Sequence, residues 1–424
     1  MQAALGALLL GGTGCSRKPR ADVVVWSWDI AAKALQGLVP GFISDHPGVT
    51  VEVIDLGNQQ VFDRGIAGCA IGGIDLPDVY SVQNSFAELF WSRFAACFTD
   101  LAPLGADPLR ASFPEFKWTE LTVGPRIFAL PWDSGPVVMF YRRDLYAQAG
   151  IDPARIATWD DFLAAGRRML DATGGKVRMA TLSTGQNEEW LRMLANQNGG
   201  GYFDDAGTHV TLAAQPCVDA LEMVKRLVDA GVVAEGGWNE QLQLIHGSTV
   251  AGALYGAWYE GTIRATVADQ AGKWGVYRMP AAREGGRRAA NLGGSALAVP
   301  ASSRNPQAAW RFVRHALANT ASSVDMLEKQ GLVPSYLPSL NAPFVQQPQS
   351  FWGGQRIWRD ILDTLPDIRP ARGTAFFQEA RQIVTVVQAD YLAGHYRTAR
   401  EALEHGARQI SEASGLPLAT EAAP

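Results

Sequence analysis

Residues 129–162 read ALPWDSGPVVMFYRRDLYAQAGIDPARIATWDDF. Val137 to Tyr141 is an unbroken apolar run that predicts a strand, entered from a polar and aromatic bend, Trp132-Asp133-Ser134-Gly135-Pro136. The charges that follow begin a short helix, and Gly150 stops it. Thr158 stands at an N-cap position ahead of Trp159-Asp160-Asp161-Phe162, with Asp161 three residues on, the spacing that lets both residues satisfy orphan amides of a first turn.

The chain has 424 residues, more than the roughly 250 to 300 at which a single hydrophobic core stops growing, so two lobes and a cleft between them are expected from size alone. Hydrophobic residues are 47% and charged ones 19%, with thirteen Trp, an ordinary globular balance enriched in flat apolar rings. A formal charge of −5 excludes the basic stripe that nucleic-acid binding needs, and pairs such as Arg142-Arg143, Arg167-Arg168 and Arg287-Arg288 read as solvated faces.

The first residues, MQAALGALLLGGTGC, are apolar and small, too short to span a bilayer as a mature helix but suited to a secretory signal. Thr13-Gly14-Cys15 resembles a bacterial lipobox, with Gly12 where Leu is usual and no basic residue ahead, as expected if translation starts upstream. Lipidated Cys15 leaves Cys69, Cys97 and Cys217, which cannot all pair within the chain. Cys69 and Cys97 flank one strand region and a bridge between them is open, but the expectation is buried free thiols.

Strands at Asp22–Trp28, Thr50–Leu56 and Asp78–Val82 alternate with helices over Ile30–His46 and near Val61–Ala70, which indicates βαβ units and a parallel sheet. A mostly helical body follows: Trp159–Ala172, Asn187–Gln197 and Pro216–Ala230. Val250–Tyr255 is a short buried segment, and Trp274–Pro280 reads as a strand returning towards the first lobe. Gly293-Gly294 then precedes the apolar Ser295–Val299, and Asn305-Pro306 opens a helix carrying Ala309-Trp310-Arg311-Phe312. Ala389–Gly394 and YRTAREAL at 396–403 suggest a terminal helical hairpin, with fraying past Ala413.

Taken in order from about Val23 to Ile410, these pieces closely resemble the cluster-B, family 1 extracellular solute-binding proteins of bacterial ABC importers. The resemblance implies an α/β fold of the type II periplasmic-binding kind, each lobe a mainly parallel sheet flanked by helices, with a hinge and a ligand cleft. The expected division is 1–21 as signal and linker, 22–131 with 281–321 as the first lobe, 132–280 with 322–412 as the second, and 413–424 as a tail. It further implies a monomer outside the cytoplasm that hands its ligand to permease subunits with an ATPase, meets the membrane only through a lipid anchor, and uses no cofactor.

A sugar offers hydroxyls that need pairing and apolar C–H faces, so its site needs planar rings beside amides and carboxylates. Ligands of parallel sheets bind beyond the carboxyl ends of strands, which brings forward Trp28 with Asp29 and Asn84. The other candidates are Trp132 with Asp133, Asn187 with Glu188, Trp258 with Tyr259 and Glu260, and Asn291 with Gly294 and Ser295, several beside glycines that allow close backbone approach. The resemblance implies that Trp258, after Gly256-Ala257, is an aromatic platform, and that Arg372 and Phe376 approach the cleft. Few cations stand at these rims, which favours a neutral sugar; a polyol, a glycerol-phosphate-type ligand or a metal ion would suit the same architecture. HExxH, GxSxG and GxxxxGK[ST] patterns are absent, so an enzyme is not expected, although facing carboxylates would make a glycosidase-like cleft.

Overall fold

Val23-Val24-Val25 carry stiff branched side chains and no polar groups, and they settle in a strand covered on both faces, β1 (Val23–Ser27). The computed structural model describes residues 20–371 and 374–419. After β1 come α1 (Asp29–Asp45), β2 (Val51–Asp55), α2 (Asn58–Ala70), β3 (Val79–Gln83) and α3 (Asn84–Arg93), the alternation expected. The lobe continues through α4 (Glu115–Leu121), a hairpin of β4 (Thr122–Val123) and β5 (Arg126–Ile127), and β6 (Ala129–Pro131).

The chain then crosses to the second lobe. There it forms β7 (Val137–Arg142), α5 (Arg143–Gln148), α6 (Trp159–Thr173), β8 (Ala180–Leu182), α7 (Glu189–Gln197), α8 (Gln215–Asp229) and β9 (Val233–Glu235). Next are α9 (Trp238–His246), β10 (Gly252–Gly256), α10 (Tyr259–Thr266) and β11 (Trp274–Arg278). It returns for β12 (Ser295–Ala298), α11 (Pro306–Leu317) and α12 (Thr320–Gln330), and ends with α13 (Ile357–Leu362), α14 (Phe377–Leu392) and α15 (Ala399–Ser414).

Local chemistry sets the boundaries as read. The Asp161 amide donates to Thr158 Oγ1 at 3.2 Å and the Thr158 amide to Asp161 Oδ2 at 2.8 Å, a complete capping box worth about 1 kcal/mol. Pro306 takes the first turn of α11 while Asn305 caps it.

The first-lobe sheet runs β2-β1-β3-β12-β6, with β1 parallel to β2 and β3 and β12 antiparallel to β3 and β6. The second lobe differs from the mainly parallel sheet expected: β7 is antiparallel to both β10 and β11, and only β8 and β9 pair in parallel. The reason is the crossover. β6 leads out of the first lobe and β12 leads back in, while β7 enters the second and β11 leaves it, so within each lobe the outgoing and returning strands run in opposite directions, and β10 pairs antiparallel on the other edge of β7. Apolar clusters cover both faces of the first sheet, and a third fills the second lobe.

Three further expectations are corrected. Cys69 and Cys97 form a disulfide, because the last turn of α2 and the turn after α3 meet on one face of the sheet, where Phe62 stacks on Phe86 at 4.1 Å; Cys217 is a buried free thiol. Helix α12 packs on α1 and α11, so the chain leaves the first lobe after Gln330 rather than at 322. The segment past Ala413 does not fray at once: the Val210 amide donates to Pro417 O and the Ala419 amide to Val210 O.

Three segments cross between the lobes and are stitched together. The Ser134 amide donates to Val333 O at 2.9 Å, Ser335 to Trp132 O at 2.8 Å, Val137 to Ala290 O at 2.9 Å and Leu292 to Gly135 O at 2.8 Å. The buried hydroxyls of Ser134 and Ser335 lie 2.9 Å apart. Gly135 permits this approach, since a Cβ there would fall 2.0 Å from Leu292 O.

Candidate functional site

Below these crossings lies a cavity of about 500 Å³ walled by both lobes, within the size range of small-ligand sites. The first lobe contributes Gln83, Asn84 and Ser85 at the end of β3, with Phe116 and Glu120 from α4. The second contributes Glu189, Arg192 and Asn196 of α7, the loop 199–205, Trp258, Arg369, and Phe377 and Arg381 of α14; Asn291, Leu292 and Gly293 close the hinge side. Helix α14 touches α3 across the cleft, with the Arg93 guanidinium 5.4 Å from the Phe376 ring centre.

Of the residues singled out from sequence, Asn84, Trp258 and Asn291 line this cavity. Trp258 is braced: its Nε1 donates to Leu292 O at 2.8 Å, and the ring of Trp238 stacks beside it at 6.2 Å. Asn291 spends its amide on the hinge, accepting from the Gly135 amide and donating to Gly293 O, both at 3.0 Å.

The others lie elsewhere. Trp28 packs between the two first-lobe clusters, and Asp29 is exposed, its amide donating to Asp55 Oδ1. Trp132 is core. Tyr259 and Glu260 turn inward because successive helical residues diverge by about 100°, which leaves Trp258 alone facing the gap; Glu260 accepts from Trp352 Nε1 at 2.9 Å. Asp133, Gly294 and Ser295 brace the hinge: Asp133 O accepts from Lys117 Nζ at 2.9 Å, Asp133 and Ser295 are hydrogen-bonded to each other, and Gly294 O accepts from the Asn84 amide. The Asn187 side chain accepts from the Glu189 amide. Glu188 stands behind the wall. Cys15 and Arg372 lie outside the described residues.

The expectation of few cations is also corrected. Arg192, Arg369 and Arg381 line the wall, drawn from α7, a loop and α14, and each is paired. Glu188, with no side-chain exposure, accepts from Arg192 Nε at 2.9 Å, Arg381 Nε at 3.3 Å and the Tyr202 hydroxyl at 3.0 Å; Asp205 holds Arg369 at 3.1 Å. Burial alone would push the Glu188 carboxyl up, but the two guanidinium groups outweigh it and hold it below the usual glutamate value. Glu120 and Glu189, which face the cavity from opposite lobes, are pushed up by burial against the opposing pull of Lys117 and Arg192 respectively.

Sequence reasoning placed helix α7 but missed its cavity-lining face, whose signal was available. Glu189, Arg192 and Asn196 fall at i, i+3 and i+7 on one helical face, while Trp190, Leu191 and Leu194 occupy the buried one. Two acceptors at the cavity wall have no donor: Asn84 Oδ1 from the first lobe and Asn196 Oδ1 from the second are buried without a hydrogen-bond partner. Among the described residues no three His, Cys, Asp or Glu side chains gather as a metal site would need, and no helix is long and apolar enough to cross a membrane.

Residues 27–322 match the bacterial extracellular solute-binding proteins, well over half the chain. The chain belongs to that family. It is 28% identical over 381 residues to the lactose-binding protein of Rhizobium radiobacter, covering 88% of each chain. It is 28% identical over 352 residues to the arabinooligosaccharide-binding protein of Bacillus subtilis (strain 168), covering 81% of this chain and 80% of that one. Among solved structures, the GacH receptor of Streptomyces glaucescens GLA.O, described unliganded and with acarbose, superposes with a TM-score of 0.77 at 21% identity, over 92% of this chain and 97% of that one. The solute-binding fold is therefore two lobes around a cleft, as the crossings above require.

Proposed function

We propose that this solute-binding protein captures a mono- or oligosaccharide between its lobes and delivers it to the permease of an ABC importer with its ATPase. The observation that carries the reading is the pair of unpartnered amide oxygens, Asn84 Oδ1 and Asn196 Oδ1, on opposite walls of a cavity that also holds the braced ring of Trp258. Each oxygen is a buried acceptor without a donor, a costly state that a ligand hydroxyl relieves, and the indole offers a flat face for sugar C–H groups. The wall arginines are each held by a carboxylate, which favours an uncharged polyhydroxyl guest over an anion. The names of the two relatives, binders of lactose and of arabinooligosaccharides, support the same class.

Closure by hinge bending about the three crossings tightens binding because hydrogen bonds from both walls form together only in the closed state. The protein acts as a monomeric binder without catalysis, held outside the cytoplasm by lipid on Cys15. The test is a thermal-shift and calorimetric panel of neutral sugars, polyols, glycerol phosphate and metal ions. A sugar at 100 times its dissociation constant should stabilise the fold by about 2.7 kcal/mol. Stabilisation by a metal or an anion with no response to any sugar defeats the reading, and release of reducing ends from a bound oligosaccharide would make it an enzyme.

A further inference from the structure

A second hollow, about 840 Å³, opens on the outer side of the second lobe and shares Gly199, Pro216 and Arg369 with the interlobe cavity. The two spaces therefore adjoin at a sill. Arg369 forms it, with Nη1 donating to Gly199 O and Nη2 to Asp205, so that the guanidinium spans the gap between the loop and the chain before α14. Gly199 adds no side chain to the sill, and its φ of +89° suits glycine. Beyond it the outer hollow presents Asp219 and Arg287, both exposed, beside the apolar Pro216 and Met223. That mixture of hydrogen-bonding groups and apolar patches is the chemistry a sugar unit needs.

Resting on the sugar reading above, we propose that the cavity and the outer hollow form one continuous track for a linear oligosaccharide, whose chain passes over the Gly199–Arg369 sill and places its distal units against Asp219, Met223 and Arg287. The cavity of about 500 Å³ holds the first units, and the outer hollow makes chain length a determinant of affinity. A closed disaccharide pocket would have no such exit.

The test uses the intact protein and linear homologous series of glucose, galactose and arabinose saccharides, from two to five units, titrated by calorimetry. In the series that binds, the four-unit member should bind about fivefold to tenfold tighter than the two-unit member, the gain expected from one or two added hydrogen bonds. The double variant Asp219→Ala, Arg287→Ala, altered only in the outer hollow, should bind the two-unit sugar as the parent does, which also reports correct folding, and should lose the length advantage. Equal affinity across lengths in the parent, weaker binding of longer members, or a length advantage that survives in the double variant overturns the track alone. Binding of single sugars only also overturns the track alone, whereas failure of every member together with no response to any sugar of the thermal-shift panel overturns the sugar reading itself.

Discussion

Replacing Glu188 by Gln removes the carboxylate that holds Arg192, Arg381 and the Tyr202 hydroxyl behind the cavity wall, while keeping the side chain's shape. Breaking a buried ion pair costs about 3–5 kcal/mol where the stranded charge stays dry. Here the stranded guanidinium groups are not dry, with side-chain exposures of 24% for Arg192 and 34% for Arg381, and Arg381 falls near the regime where a pair is worth only about 0–1 kcal/mol. Discounting for that rehydration leaves an expected loss of about 2–3 kcal/mol. The sign of the pH dependence follows from the depressed carboxyl. Its stabilisation is fully present above the ordinary glutamate value of 4.5 and is lost as pH falls through the lower value it has in the folded protein. Urea unfolding of parent and variant should therefore show the full gap at neutral pH and a closing gap in acid, where protonated Glu188 resembles Gln; effects of other carboxyls cancel in the difference. A gap under about 0.5 kcal/mol at neutral pH, the scatter of an ordinary surface substitution, or one that does not shrink in acid, would refute the account of Glu188 as the anchor of the wall.

Trp258→Ala should weaken saccharide binding about tenfold to a hundredfold in calorimetry with little change in unfolding, because the ring faces the gap while Tyr259 carries the core contact; unchanged affinity would remove it from the site. Gly135→Ala forces a Cβ to within 2.0 Å of Leu292 O and should cost about 1–3 kcal/mol or more by denaturant unfolding, whereas a neutral result would mean the hinge strands separate easily. Joint Cys69→Ser and Cys97→Ser substitution opens a link between residues 28 apart and should cost about 3 kcal/mol, matched by the parent under reducing conditions. Stability should fall as pH rises from the ordinary glutamate range through the raised values of Glu120 and Glu189, since the folded state then holds protons the unfolded chain has lost, and the combined variant Glu120→Gln, Glu189→Gln should flatten that slope.

The elements themselves were legible because their signals are local. The Val23 strand, the Val137 strand, the Thr158 capping box, the Pro306 start and the Gly150 stop each depend on a few neighbouring residues, and each appears where read. Trp258 and Asn84 were legible as rim residues, and both line the cavity, because they follow strand ends. The direction of the second-lobe strands was not, since it depends on which way the chain is travelling when it crosses the hinge. Nor was the Cys69–Cys97 bridge, which needs two helices laid side by side on one sheet face.

The sequence by itself determined an α/β chain with its main helices and strands, because these follow from periodicity and caps within a short span, and its length called for two lobes. Only the tertiary structure decided which side chains share the cavity. It set Glu188 behind the wall and Arg192, Arg369 and Arg381 on it, turned Tyr259 and Glu260 away, and left one oxygen each of Asn84 and Asn196, residues of opposite walls, buried without a donor. A site assembled from segments hundreds of residues apart has no local pattern to read, since its geometry comes from how two cores dock through a hinge.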